Sequence, residues 1–326
     1  MHAKIPVHLA ATSSFLPGAP VTTEELAQRL TPPLDARMLR ERTGIQARHF
    51  AAPEATWTGL AINAIRRALE RADLEPEDLA RIVFVTSSAG DVLVPANANA
   101  IATGLGLRGS CDCFDLNNAC MGFLTAFDLT ARSIATGYGT TAIVAVELGS
   151  RYITPEDPRP YVVFGDGAAA AILQPSRNGE GILGSWLRND GSLGGDVTLT
   201  HPGVTGRIEK VHFNTPNKDM MQLAIDLVQN SAREVLAQAE MTLDDIDWVL
   251  PHQPNGVLLQ AVVKALGVSP ERVVPVVDRV GSLASASIAL SLDVLMRSGR
   301  LQGGERVLMI GVGAGVSAGA ILLQLP

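Results

Sequence analysis

Apolar side chains fall along this chain in two alternating rhythms. Leu124, Phe127, Ala131 and Ile134 recur at the three- and four-residue spacing of a helix, whereas Cys113-Phe114-Asp115-Leu116, just upstream, alternates like a short strand. The apolar runs at 141–146, 248–250 and 306–311 read as further strands, and small residues at 280–287 open a helix over 288–297.

The pattern repeats itself. Ala64-Ile65-Arg66-Arg67-Ala68-Leu69 followed by Glu77-Asp78-Leu79 is echoed by Ser231-Ala232-Arg233-Glu234-Val235-Leu236 followed by Asp244-Asp245-Ile246. Leu105-Gly106-Leu107 is echoed by Leu266-Gly267-Val268, and the strand at 141–146 by that at 306–311. A single offset of about 161 to 167 residues relates all of these pairs, so the chain is a duplicated domain and not a solenoid of short units. Residues 1–175 form one predicted half and 176–326 the other. Each half runs helix and strand in alternation, which predicts a mixed sheet flanked by helices. The glycine-rich stretch from Pro175 to Met220 breaks the symmetry and reads as the connection between halves, with a lid or tunnel role.

Composition narrows the class. The 326 residues are 47% hydrophobic and 18% charged, with 31 Gly and 19 Pro, as suits an α/β enzyme with tight turns. A net charge of −7 argues against a nucleic-acid surface. No apolar run reaches the length of a membrane span, and residues 1–20 lack a signal-peptide pattern, so a soluble, cytoplasmic protein is expected. Cys111, Cys113 and Cys120 are too crowded for a disulfide framework, and His2, His8, His49, His201, His212 and His252 do not pair at ligand spacing, so no metal is expected.

Two residues stand out chemically. Cys120, in Asn117-Asn118-Ala119-Cys120-Met121-Gly122-Phe123, falls on the predicted first turn of a helix, where free N–H groups and the helix dipole favour a nucleophilic thiolate; the alternative is a buried small hydrophobe. His252, in Pro251-His252-Gln253-Pro254-Asn255, ends an apolar strand, where open α/β sheets bind ligands, and reads as a general base or an oxyanion donor. Ser282 offers a hydroxyl or caps a helix. The terminal run Gly311-Val312-Gly313-Ala314-Gly315 is not followed by a βαβ unit, and reads as a wall of backbone N–H groups.

These motifs, with Phe164-Gly165-Asp166-Gly167-Ala168 and Gly281-Ser282-Leu283-Ala284-Ser285-Ala286-Ser287, resemble in order those of β-ketoacyl-(acyl carrier protein) synthase III enzymes of the thiolase superfamily. The resemblance implies a duplicated, five-layered αβαβα thiolase-like fold with mixed sheets, a homodimer, and an acyl group carried as a thioester on Cys120. It implies His252 as the catalytic histidine, and the backbone N–H groups of Cys120 and Ala314 as the oxyanion site. Asp166 would order its turn. Arg40, Arg42, Thr43 and Asn255 would contact acyl-coenzyme A or an acyl carrier protein, with Lys264 a further phosphate candidate, and Val94 would set acyl length from a loop reaching the neighbouring subunit. No bound cofactor is implied beyond the acyl-thioester substrate.

The departures bear on the reaction. Ser282 stands where the family usually has an asparagine that stabilises the enolate formed by decarboxylation; a hydroxyl is shorter and donates one proton instead of two. Met38 stands where tryptophan often stacks on adenine, and Val257 where an arginine is common near the carrier-protein entrance. Three readings stay open: Claisen condensation with or without decarboxylation, acyl transfer to an alcohol or amine, and a catalytically weak partner subunit.

Overall fold

The computed structural model describes residues 4–176 and 178–326; His2 lies outside them. Two five-stranded sheets carry the architecture. The first is ordered His8–Phe15, Asp166–Gln174, Thr141–Leu148, Arg81–Val85, Asp112–Leu116, and the second Ile5–Pro6, Gly181–Asn189, Ser317–Gln324, Arg306–Gly313, Trp248–Pro251. Both are mixed: antiparallel pairing gives way to parallel pairing at Thr141–Leu148 with Arg81–Val85, and at Arg306–Gly313 with Trp248–Pro251.

Alternation along the strands assigns the layers. Val83 and Val85 join Phe123, Phe127, Ile288, Leu292, Met309 and Ile321 in a central core, so helices Gly122–Ala135 and Ser287–Met296 lie between the sheets. The intervening Ile82 and Phe84 pack instead with Leu60, Ala64 and Ile101 of helices Trp57–Ala72 and Asn97–Gly104. Leu308 and Ile310 pack with Val235 and Val262 of helices Asn217–Ala239 and Gly256–Leu266. The result is helix, sheet, helix, sheet, helix, a mixed α/β fold of thiolase-like build. Strand Thr141–Leu148 is buried along its whole length because both of its faces are covered. In the middle layer the Phe123 and Phe127 rings meet edge to face at 5.9 Å, an arrangement contributing about 0.5–1.5 kcal/mol beyond burial.

The internal echo holds at the level of single turns. Gly106 and Gly267, from the repeated Leu-Gly pairs, both take positive φ where a helix ends. The two copies differ at their edges: where the first sheet has the strand Asp112–Leu116, the second has a lone parallel bridge between Val249 and Val273, and its fifth strand is Ile5–Pro6 at the opposite edge.

One expectation is corrected. The stretch from Pro175 to Met220 is not all connection, because Gly181–Asn189 is an integral strand paired along its length with Ser317–Gln324. Its glycines serve packing: a Cβ on Gly184 would stand 2.7 Å from the Val235 carbonyl of the helix laid across it. Residues 190–216 are irregular, with short pieces at Gly191–Leu193, Pro202–Thr205 and a two-stranded ribbon of Val197–Thr198 with His212–Phe213, and helix Asn217–Ala239 follows.

Candidate active site

Strand Asp112–Leu116 delivers the chain to a tight turn that presents Cys120. Ala119 holds φ at 46°, a left-handed conformation costly for a residue with a Cβ, and its N–H is tied to Asn117 Oδ1 at 2.9 Å. Asn118 steadies the other side, donating to Thr125 Oγ1 at 2.9 Å and accepting from Asn189 Nδ2 at 3.0 Å. Helix Gly122–Ala135 begins two residues after Cys120, so the thiol precedes the first turn instead of lying on it.

The expected thiolate is also corrected. Burial, reinforced by the negative charge of Glu147, pushes the Cys120 thiol up to about 12. The N–H groups of Ala314 and of Cys120 itself face the sulfur and favour its anion, but they do not outweigh desolvation. Those two N–H groups are the pair the sequence singled out as an oxyanion site. The approach is close, since a Cβ on Gly313 would lie 3.2 Å from the backbone nitrogens of Cys120 and Met121.

His252 reaches the same place from the end of Trp248–Pro251. Its N–H donates to the Ile310 carbonyl at 2.7 Å, continuing the ladder with the neighbouring strand. The imidazole is buried, which pulls its pKa down to about 4, and Nδ1 has no hydrogen-bond partner. A neutral ring with a free nitrogen is suited to accept a proton or to donate one to a developing oxyanion.

Gln253, which the sequence reading passed over, anchors the histidine. Its amide is fully used: Nε2 donates to the Val274 carbonyl at 2.8 Å and to Ser291 Oγ at 3.0 Å, and Oε1 accepts from the N–H groups of Val276 and Val277. Its own N–H donates to Ser287 Oγ at 3.1 Å, which ties the histidine strand to the small-residue turn carrying Ser282. Ser282 is buried, and its backbone is fixed by donating to the Val163 carbonyl at 2.8 Å and accepting from the Gly165 N–H at 3.0 Å. It does not cap the following helix, which starts at Ser287.

Asp166 orders its turn as expected, accepting from Ala51 N–H at 2.7 Å, Ser150 N–H at 2.9 Å and Ser150 Oγ at 2.6 Å.

The residues expected at a substrate mouth come partly together. Gly44, ending helix Ala36–Thr43, touches Gly256 so closely that a Cβ on either would stand within 3 Å of the other's Cα. Arg42 and Thr43 thus adjoin Asn255 and Val257. Arg42 is exposed, whereas the Thr43 hydroxyl donates to the Leu39 carbonyl at 2.8 Å, and Asn255 caps its helix by accepting from Leu258 N–H at 2.8 Å. Arg40 pairs with Glu24. Met38 packs in a small cluster around Leu26 and Leu39. Lys264 lies apart, about two and a half helical turns further on and on the order of 13 Å from Asn255. Val94 sits 85% exposed on a loop with Val92 and Leu93. Among the described residues the three cysteines are free, no group of three or more His, Cys, Asp or Glu is disposed to hold a metal, and no helix is long and apolar enough to cross a membrane.

Comparison with known proteins gives the family. Residues 114–191 match the family described as 3-oxoacyl-[acyl-carrier-protein (ACP)] synthase III, and residues 236–325 match its C-terminal counterpart. The fold superposes on the 3-oxoacyl-(acyl carrier protein) synthase III of Pseudomonas aeruginosa PAO1 with a TM-score of 0.90 at 30% identity, covering 98% of each chain. It superposes on the priming β-ketosynthase of the R1128 polyketide biosynthetic pathway with a TM-score of 0.91 at 31% identity, covering 100% of this chain and 98% of that one. The synthase III of Aquifex aeolicus VF5 gives 0.90 at 27% identity over 98% of this chain and 99% of the other. The chain belongs to the 3-oxoacyl-(acyl carrier protein) synthase III family, Claisen-type condensing acyltransferases of the thiolase superfamily.

Proposed function

We propose that Cys120 takes an acyl group from coenzyme A or an acyl carrier protein and that a carbon nucleophile then attacks the resulting thioester, in fatty-acid, polyketide or other specialised metabolism. In the first half-reaction the Cys120 sulfur attacks the thioester carbonyl, the donor thiol leaves with a proton, and the N–H groups of Cys120 and Ala314 hold the oxyanion. In the second, His252 assists formation or attack of the enolate. Ser282 stands in place of the usual asparagine, which favours an enolate made by deprotonation over one made by loss of carbon dioxide. The observation that carries this reading is the convergence of Cys120, from the first sheet, and His252, from the second, on the strand end at 311–313. Arg40, Arg42, Thr43 and Asn255 border the substrate entrance, and the protein works as a homodimer in which Val94 of one copy reaches the acyl site of the other; the exposure of Val92, Leu93 and Val94 supports that placement.

The test is incubation with acyl-coenzyme A and acyl-carrier thioesters, with and without malonyl thioester, following intact mass and carbon dioxide. An acyl adduct lost in Cys120→Ala is expected. His252→Ala should still load but not complete turnover. Carbon dioxide release that depends on malonyl thioester would make the enzyme decarboxylative; full turnover in Cys120→Ala would overturn the reading.

A further inference from the structure

Glu147 is a carboxylate within a mostly apolar, wholly buried strand. Four hydrogen bonds converge on it from two distant loops. Ser87 donates its N–H at 2.8 Å and its hydroxyl at 2.7 Å, and Ser285 donates its N–H at 3.3 Å and its hydroxyl. Ser285 also rests on the helix that follows the nucleophile, since a Cβ on Gly122 would come within 3.7 Å of the Ser285 Cβ. The carboxylate therefore lies one side chain away from the first turn after Cys120, and links it to the loop carrying Ser87 and to the turn carrying Ser282.

We propose that Glu147 is a positioning residue for Cys120, clamping the 282–287 turn against the Cys120 helix while its negative charge opposes ionisation of the thiol. This rests on the reading of Cys120 as the nucleophile. A clamp made from four donors and one carboxylate is rigid, because every donor is a short group on the backbone or on serine. The charge is uncompensated: among the described residues no Lys, Arg or His lies within salt-bridge distance of Glu147, and the other titratable groups that sense it are Cys120 and Tyr152. Burial pushes the carboxyl up to about 7, although the four donors pull the other way. Near neutral pH the group therefore switches between a neutral clamp and a charged one.

The test is the pH profile of Cys120 alkylation by iodoacetamide, read as intact mass with peptide mapping, in wild type, Glu147→Gln and Ser285→Ala, each first shown folded by circular dichroism. The ratio of the Glu147→Gln rate to the wild-type rate should be near one at about pH 5.5 and rise to about tenfold at about pH 8.5, the change that one pKa unit makes to a thiolate fraction. Ser285→Ala removes a donor to the carboxylate, so the break in the wild-type profile should move to higher pH; this variant carries the test if Glu147→Gln fails to fold. A constant ratio, or a break moved by neither variant, would overturn the proposal. Wild-type protein that alkylates at Cys120 yet carries no acyl adduct would count instead against the acyl-transfer reading, so the two failures are distinguishable.

Discussion

Gly311 lies so close to His252 that a Cβ on the glycine would stand 2.9 Å from the histidine Cβ and 3.1 Å from the sulfur of Met121, the neighbour of Cys120. A side chain at position 311 would therefore push the two chemical groups apart. Gly311→Ala is expected to cost about 1–3 kcal/mol of stability by overpacking and to slow the step after loading by about 100-fold. Intact mass for loading and product formation for turnover separate the two effects; turnover equal to wild type would show that the site does not depend on this contact.

Two buried groups shift stability with pH in opposite directions. His252 is depressed from 6.5 to about 4, so the unfolded chain binds more protons between those values, and this contribution to stability is lost as pH falls. Glu147 is raised from 4.5 to about 7, so the native state binds more protons between those values, and its contribution is lost as pH rises. Each amounts to about 2 kcal/mol between about pH 7 and 5, with opposite sign. Relative to wild type, His252→Asn should gain stability on acidification and Glu147→Gln should lose it, as urea melts at the two pH values would report.

Gln253→Ala removes the side-chain partners of Val274, Ser291, Val276 and Val277 in a dry interior. A loss of about 3 kcal/mol is expected, with turnover falling more than acyl loading because His252 loses its footing while Cys120 does not. Denaturant midpoints and single-turnover loading check both halves of the statement.

Ser282→Asn places an amide with two donor protons at a buried position whose backbone is already fixed on both sides. If the missing amide alone withholds decarboxylation, carbon dioxide release from malonyl thioester should rise by about 100-fold. An unchanged rate would assign the reaction to the shape of the cavity.

Sequence and structure agree most where a motif coincides with a change of element. Cys120 follows a strand and precedes a helix, His252 ends a strand, and both announce themselves by residue type at that boundary. Glu147 and Gln253 lack such a signal: one closes the apolar run 141–146 and reads as the strand's polar end, the other stands beside a more conspicuous histidine. The glycines of strand Gly181–Asn189 look like turn residues in sequence, whereas in the fold Gly184 lies under a helix and Gly181 against the backbone of Ile5 and Val7. The ionisation of Cys120 departs from the thiolate expectation for a physical reason. A helix start is visible in sequence, but the amount of apolar structure folded over it, and a carboxylate 27 positions away, are not.

Burial and the negative charge of Glu147 hold the Cys120 sulfur as the thiol, so little thiolate is present at neutral pH. Peroxide attacks the thiolate, and the descent through sulfenic to sulfinic acid starts there. In the folded protein Cys120 is thus a poor target for oxidants, and on the proposed reading the chemistry still runs through it. For Cys120, oxidation is favoured in unfolded chains, where the same sulfur regains an ordinary pKa and open solvent, so whatever stabilises the native state also lengthens the chemical lifetime of this thiol.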